Sequence, residues 1–492
     1  MSRENGKTVS VRVQVSTMNW NFWVANIMEA FERLAFFGVR AVLPLYMVAA
    51  KGQGIGLSYK EKGLIYMVWA IFQCLLPMVS GGYAEAYGYR LSICVAFSLN
   101  IMGYLVMANA SGFWTMLLAA VLVGTGTAIF KPPVQGSVAK SLNAGNSGLG
   151  FGIFYWVVNV GGFLAPMAAA ALRGNELHPT WSRVFYGAAL VTALNFLPAL
   201  FLFREPAPDL EARKKKPLRV FTETMAVLWK DQAMLRFLLV VSGFWFMFMQ
   251  LWDLLPNFLD EWVDLRAAGH LLSAVLGTAA SGFLTADGGA KPEILINIDS
   301  FVIILFVLPL SWLFGRYKMM TSLVLGMTIA LIGFVVSGLT NVGLLAAAGI
   351  FVFAIGEIIC SPKFSEYIGM TAPPHRKALY MGYSQIPFAI GWAAGNGLSG
   401  PLYETFASRN VLAREYLVQK LRMLPDAARA VADKDLLSAI ATKLGGGAAP
   451  RQALNALWGA YHPWIIWLIL GAVGLASLAG MVALYRRSPA RE

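Results

Sequence analysis

Charge is scarce in this chain. Of 492 residues only 13% are Asp, Glu, Lys or Arg, about half the share usual in a soluble domain. The shortage excludes an ordinary soluble fold. Cysteine is nearly absent: Cys74, Cys94 and Cys360 all fall in apolar runs. No disulfide framework or metal site is implied. The four histidines (His178, His270, His375, His462) lie in or beside loops, which argues against a histidine proton relay inside an apolar core. No Ser-His-Asp pattern, His/Cys metal cluster or phosphate-binding Gly loop stands in a plausible place, so an enzyme is not expected. No cleavable leader is expected either, because the first apolar run is long, charged and preceded by a polar stretch.

What is abundant is apolar: 58% of the chain is hydrophobic and its mean hydropathy is +0.61. The apolar runs are continuous, not alternating, so the fold class is an all-α polytopic membrane protein and not a β-barrel. The net charge of +13 does not point to nucleic acid, because the basic residues collect in short loops on one side. That is the positive-inside pattern, and it predicts both termini in the cytosol of a cell whose compact chain reads as bacterial, in the inner (cell) membrane.

Twelve spans of about 20 residues can be drawn. Residues 1–203 hold six of them and are read as an N-terminal six-helix bundle. Residues 204–232, with Pro206, Pro208 and the run RKKK at 213–216, form a basic cytosolic linker; the run either sets topology or binds anionic headgroups. Residues 233–492 repeat the plan as a C-terminal six-helix bundle. An outer insertion at about 402–460 is too polar to span and predicts one or two solvated amphipathic helices.

The first apolar run, Asn21 to Met47, is organised around charge. It carries Glu29, Glu32, Arg33 and Arg40, with Phe36 on the same helical face and Phe37 beside it. One charge at the centre of a lone spanning helix costs about 2.5–3.5 kcal/mol, and four would come to roughly 10 kcal/mol. Such a stripe must face protein or a wet cavity, and it is read as the polar lining of a transport pathway; a buried ion-pair cluster that only locks helices is the plainer alternative.

Further polar residues fall within later spans. Lys131 is placed at or near the end of the fourth span. Tyr155 and Asn159 lie four apart on the fifth, and Gln250 and Asp253 on the seventh with Trp245 and Trp252. Asn297 and Asp299 begin the eighth, and Glu357 and Ser361 lie four apart on the tenth. Singly, Asn159 or Gln250 reads equally well as a helix–helix hydrogen bond, and Lys131 as a snorkelling lysine. Together they separate by half. Arg33, Arg40 and Lys131 give the N-terminal half a positive wall; Asp253 and Glu357 give the C-terminal half a negative one. A zwitterion fits between such walls better than a sugar or a simple anion.

Six spans, a basic linker and six more resemble the two-half plan of the major facilitator superfamily. The turn Gly81–Arg90 resembles its loop motif, with Glu85, Gly88 and Arg90 as the candidates for a gating contact between helix ends. Within that superfamily EAFERLAFFGVR (29–40) resembles the E-x-x-E-R-F-x-Y-Y-G-x-R signature of the proton-dependent oligopeptide transporters. GTGTAIFKPPVQGSVA (124–139), GIFYWVVNVGGFLAP (152–166), FWFMFMQ (244–250), INIDSFVII (296–304) and GEIICSP (356–362) are similar to further segments of that family. The resemblance implies a monomeric secondary transporter taking up di- and tripeptides or a similar zwitterion with protons by alternating access. It needs no cofactor beyond the proton, and its partners are the solute and membrane lipid. Glu29, Glu32, Arg33 and Lys131 would carry proton coupling. Arg33, Arg40 and Lys131 would hold a carboxylate, and Asn159 and Glu357 the backbone and amino end. Three departures bear on substrate: Phe36 and Phe37 replace tyrosines, and Met249 stands where the family often has Glu. They leave open a proton-coupled carrier or antiporter of a drug, metabolite or organic anion, and a membrane sensor without flux.

Overall fold

The computed structural model describes all residues except 1–2, 5–6, 9–10, 144–145, 175–179, 206–216, 315–316, 372–382, 446–448 and 488–492. The basic run at 213–216 lies outside the described residues. The chain is almost wholly helical; its strands are two residues each, Arg3–Glu4 paired with Lys7–Thr8.

Helix α1, Trp20–Val48, begins where the Asn19 side chain accepts a hydrogen bond from the Phe22 amide. Helix α2, Tyr59–Leu75, begins on a capping box: the Glu61 amide donates to Ser58 Oγ at 3.2 Å and the Ser58 amide to Glu61 Oε2 at 2.9 Å. Proline at position 77 cannot donate an amide hydrogen, and there the span breaks by 40° into α3, Pro77–Tyr87. Helices α4 (Tyr89–Ala108), α5 (Phe113–Lys140), α6 (Ser147–Arg173) and α7 (Trp181–Leu194, extended by a π turn at Pro198–Leu202) complete the first six spans. Helix α8, Pro217–Lys230, follows. The second six use α9 (Gln232–Asp253) with α10 (Leu255–Trp262), then α11 (Pro292–Ile296) with α12 (Ile298–Phe314). Helices α13 (Met319–Gly338), α14 (Gly343–Thr371), α15 (Gln385–Phe406) and α16 (Ile465–Arg487) follow.

Among the described residues, eight helices are long and apolar enough to cross a membrane, and nine with the bent α2–α3 pair. Three more spans differ for visible reasons. Helix α1 carries four charges, α12 has 17 residues, and α15 is diluted by Asn396, Ser399 and glycines. With them the candidate spans among the described residues number twelve. The spans alternate in direction, so the start of α1 and the end of α16 share one face, here the terminus face. The opposite, loop face carries the insertion.

The structure corrects two expectations. Lys131 is not at a helix end: α5 continues to Lys140 despite Pro132 and Pro133. The insertion is not one or two loose helices. It contains Arg409–Gln419, Pro425–Ala430, Leu436–Leu444 and Pro450–Tyr461. They bury Leu412, Leu417, Leu436, Ile440 and Leu457 among themselves. Trp458 seats the insertion on α10, with its ring 6.0 Å from Phe258 and 6.1 Å from Trp262. Hydrophobic residues at helical spacing had marked amphipathic helices, but not their mutual packing. At the rim, Asp264 accepts from Arg266 Nε and Nη2, each at 3.0 Å, and pairs with Arg451 of the insertion at 2.5 Å. The Arg266 hydrogen bonds hold the Asp264 carboxyl below the ordinary carboxylate range.

Candidate functional site: a closed face, a charged centre and an open cavity

On the loop face the halves are closed by buried polar contacts. Arg40 of α1 forms an ion pair with Asp253 at the end of α9. Asp253 Oδ2 also accepts from Trp392 Nε1 at 2.6 Å and Asn396 Nδ2 at 2.7 Å. Lys62 Nζ donates to the Asp253 carbonyl at 2.7 Å and to Asn257 Oδ1 at 2.6 Å. The Arg40 guanidinium stands over the Tyr66 ring at 4.7 Å and the Trp392 ring at 4.9 Å. Nearer the surface, Glu261 accepts from Tyr59 at 2.8 Å and Tyr403 at 3.0 Å. A separate strut ties α6 to α11: Arg173 Nη1 donates to both Glu293 oxygens at 3.0 and 3.1 Å. Lys291 Nζ donates to the carbonyls of Ala170, Gly174 and Gly282.

Arg40 and Asp253 are therefore not two walls facing a ligand, as their distribution by half had implied; in this conformation they face each other. Separation by half is visible in sequence, but distance between the halves is not. Glu261 is 8% exposed and bridges both halves through Tyr59 and Tyr403. Lys62, Tyr66, Trp392 and Asn396 carried no pattern in the sequence that singled them out.

Deeper in α1 lies the charged centre. Arg33 Nε is 3.3 Å from Glu29 Oε1, one helical turn away, and the guanidinium also pairs with Glu32. All three are buried. Thr127 Oγ1 donates to Glu32 Oε1 at 3.4 Å. Lys131, on the same α5, lies within electrostatic reach of Arg33, Glu29 and Glu32. The Arg33 guanidinium covers the Phe36 ring at 4.8 Å and the Phe37 ring at 5.4 Å, so the two phenylalanines pack against the cation where tyrosines were expected. Glu29 Oε2 has no hydrogen-bond partner, so the cluster retains free polar capacity.

Toward the terminus face opens a cavity of about 700 Å³, within the size range of small-molecule sites. Its wall is largely aromatic, with Tyr155, Trp156, Trp245, Phe364 and Phe388; Ser361, Ser365, Ser384 and Gln385 supply polar atoms. Trp245 Nε1 and Ser361 Oγ are buried without a partner. Of the residues expected to face substrate, Tyr155 and Ser361 line this cavity. Asn159 donates to its own helix at the Tyr155 carbonyl, 2.8 Å. Gln250 is fully buried and bonds the Phe246 carbonyl at 3.2 Å. Asn297 donates to the Phe163 carbonyl at 2.7 Å, a contact between halves. Glu357 is buried one turn from Ser361, and its Oε2 has no hydrogen-bond partner.

The turn after α3 brings helix ends together. Gly88 takes φ 105°, a conformation that favours glycine. The Tyr89 and Arg90 amides then donate to Glu205 at 2.6 and 2.9 Å. Arg90 also reaches the Phe203 carbonyl. These contacts join the start of the third span to the end of the sixth, within one half. The side chain of Glu85 lies outside the described residues.

The Major Facilitator Superfamily model matches residues 26–396. Multidrug resistance protein MdtH of Klebsiella pneumoniae is 22% identical over 372 residues, 75% of this chain and 84% of that protein. A di-/tripeptide transporter of Lactococcus lactis subsp. cremoris is 26% identical over 199 residues, 38% of this chain and 40% of that protein. In fold, the chain is similar to the crystal structure of a mutant of the peptide transporter POT in complex with sulfate. The TM-score is 0.68 at 16% identity, covering 98% of this chain and 99% of that one.

Proposed function

The chain belongs to the Major Facilitator Superfamily, which makes it a membrane transporter and not an enzyme, and we propose that it moves short peptides or similar small zwitterions together with protons. The observation that carries this reading is the buried Glu29–Arg33–Glu32 cluster with Lys131 beside it. Two carboxylates share one guanidinium. Protonating either carboxylate loosens its hold on Arg33, and the freed guanidinium can then take a substrate carboxylate with Lys131. The amino end is assigned to the Tyr155, Asn159, Glu357 and Ser361 side of the cavity. Coupling needs only that proton and solute favour different openings of the halves. Arg40 and Asp253 serve closure of the loop face. By the positive-inside pattern the terminus face is cytosolic, in the cell membrane.

The test is uptake of labelled dialanine into proteoliposomes holding the purified protein under an inward proton gradient. Uptake that collapses with an uncoupler is expected. Uptake no greater than in protein-free liposomes overturns the peptide reading.

A second reading is favoured by the aromatic wall of the cavity and by the name of the MdtH relatives. In it the chain exports amphipathic drugs in exchange for protons. Proton-driven ethidium movement in inverted vesicles, unaffected by excess dialanine, would select it.

A further inference from the structure

The cavity lies to one side of the molecule. Among the described residues, the N-terminal half lines it only from α6, with Leu149, Gly152, Ile153, Tyr155 and Trp156. From the C-terminal half, Val307 of α12 stands on the other side of the seam, and α9, α14 and α15 supply the rest of the wall. The α6 and α12 helices run antiparallel, α6 rising from the terminus face and α12 descending from the loop face. Near the loop face they touch. The Phe163 and Phe301 rings are 5.6 Å apart, and a Cβ on Gly162 would meet Ser300 Oγ at 3.4 Å. Trp156 lies seven residues before Phe163 and Val307 seven beyond Ser300, two turns or about 10 Å on each helix. At that level both line the cavity.

Below the contact α6 loses its packing. No residue from 151 to 160 is buried, whereas Gly161 and Gly162 are. Trp156 is 50% exposed, and a Cβ on Gly152 would meet nothing within 4 Å. A helix sealed into a closed seam buries a face; here one face looks into the cavity and the adjoining one onto the membrane. The wall behind the seam is apolar. The Trp245 ring stands 4.3 Å from that of Phe388 and 6.1 Å from that of Phe364. Among the described residues that line the cavity none is charged.

We propose that the seam between α6 and α12 is a lateral opening, through which an amphipathic solute dissolved in the leaflet on the terminus face enters the cavity directly. The inference rests on the transport reading above and deepens its second form, by defining the solute through its partition into the membrane. Both helices satisfy their backbone groups internally, so parting them exposes side chains to lipid and not peptide groups. An apolar body exchanges acyl chains for aromatic rings, which also attract a weakly hydrated cation. A dipeptide zwitterion would have to shed its water to enter the leaflet, and for it the aqueous mouth is the route.

Nitroxide labelling of the full chain in proteoliposomes tests the opening without requiring transport. Cys74, Cys94 and Cys360 are replaced by alanine, and a label is placed at Gly152→Cys, Val307→Cys or, on the α15 wall, Ser384→Cys. The relaxing agents are oxygen, which concentrates in lipid, and a water-soluble nickel chelate. The ratio of oxygen to chelate relaxation is expected to be several-fold higher at positions 152 and 307 than at 384. A ratio no higher at either seam position overturns the opening. The solute class is read with butyltriphenylphosphonium and dialanine in the same proteoliposomes. Gradient-driven movement of the phosphonium should slow several-fold in Gly152→Trp that keeps the wild-type thermal midpoint, with Gly152→Leu as a smaller plug should the first fail to fold. Movement unaffected by the plug overturns loading through the seam. Movement of dialanine alone overturns the amphipathic class while transport stands. Movement of neither solute overturns the transport reading, and the labels then decide the opening by themselves.

Discussion

At the scale of single residues the charged centre of α1 makes the sharpest demand. Glu32 accepts from Thr127 and pairs with Arg33. In Glu32→Gln the side chain keeps its size but can no longer gain or lose a proton. Gradient-driven uptake of dialanine should vanish, while exchange of labelled for unlabelled dialanine across the same membrane should persist. Unchanged gradient-driven uptake would remove Glu32 from the coupling path. Asp253 makes a different demand. It accepts from Trp392 and Asn396 and neutralises Arg40. Removing one partner of a buried ion pair costs about 3–5 kcal/mol because the other charge is stranded, whereas replacing both with apolar groups is often neutral. Asp253→Ala should therefore lower the thermal midpoint in detergent well below that of wild type. Adding Arg40→Met should recover more than half of the loss. If the double variant is no better than the single, Arg40 is not the stranded charge.

At the scale of elements, α2 and α15 approach closely because glycines allow it. A Cβ on Gly63 would lie 2.4 Å from the Asn396 carbonyl oxygen, and one on Gly400 2.4 Å from that of Tyr59. Both obstacles are backbone and cannot swing aside. A Cβ on Gly397 would meet Met67 Sδ at 3.1 Å, the end of a flexible side chain. Gly63→Ala should cost about 1–3 kcal/mol as overpacking, and Gly397→Ala much less; thermal unfolding of the two side by side measures the difference. The legibility of the chain divides along the same line. The twelve runs and the charged face of α1 are local patterns, set by composition and by spacing within one helix, and they can be read from the sequence. The partners of Arg40 cannot. Trp392 and Asn396 lie far away along the chain, each an unremarkable residue of its own helix, and Asp253 stands out in the sequence as a charge in an apolar run but not as the partner of Arg40. Lys131 was misplaced for a local reason: two prolines follow it, and prolines usually end a helix, yet α5 runs on to Lys140.

At the scale of the whole molecule the contacts are asymmetric. Every tie between the halves described above lies at the loop face or in the centre, while the cavity opens to the terminus face. Carrying a solute across requires the loop face to part, which breaks the Arg40–Asp253 pair, the Tyr59–Glu261–Tyr403 bridge and the close glycine contacts of α2 with α15 as one event. Such a rigid-body movement of two packed halves is two-state, because packed interfaces do not deform continuously. A bond across that face should stop the cycle without touching the cavity. The Lys60 amide donates to Glu404 Oε2 at 3.1 Å, so Lys60→Cys with Glu404→Cys joins the start of α2 to the end of α15. Cys74, Cys94 and Cys360 are free thiols and are replaced by alanine in the test chain. Mild oxidation should abolish both net uptake and exchange of dialanine in proteoliposomes, and a reductant should restore them. The same oxidised protein in detergent should still bind dialanine through the open terminus face. Exchange that continues in the cross-linked protein would mean that solute crosses without separation of α2 from α15, and the loop-face contacts would then be a fixed brace and not a gate.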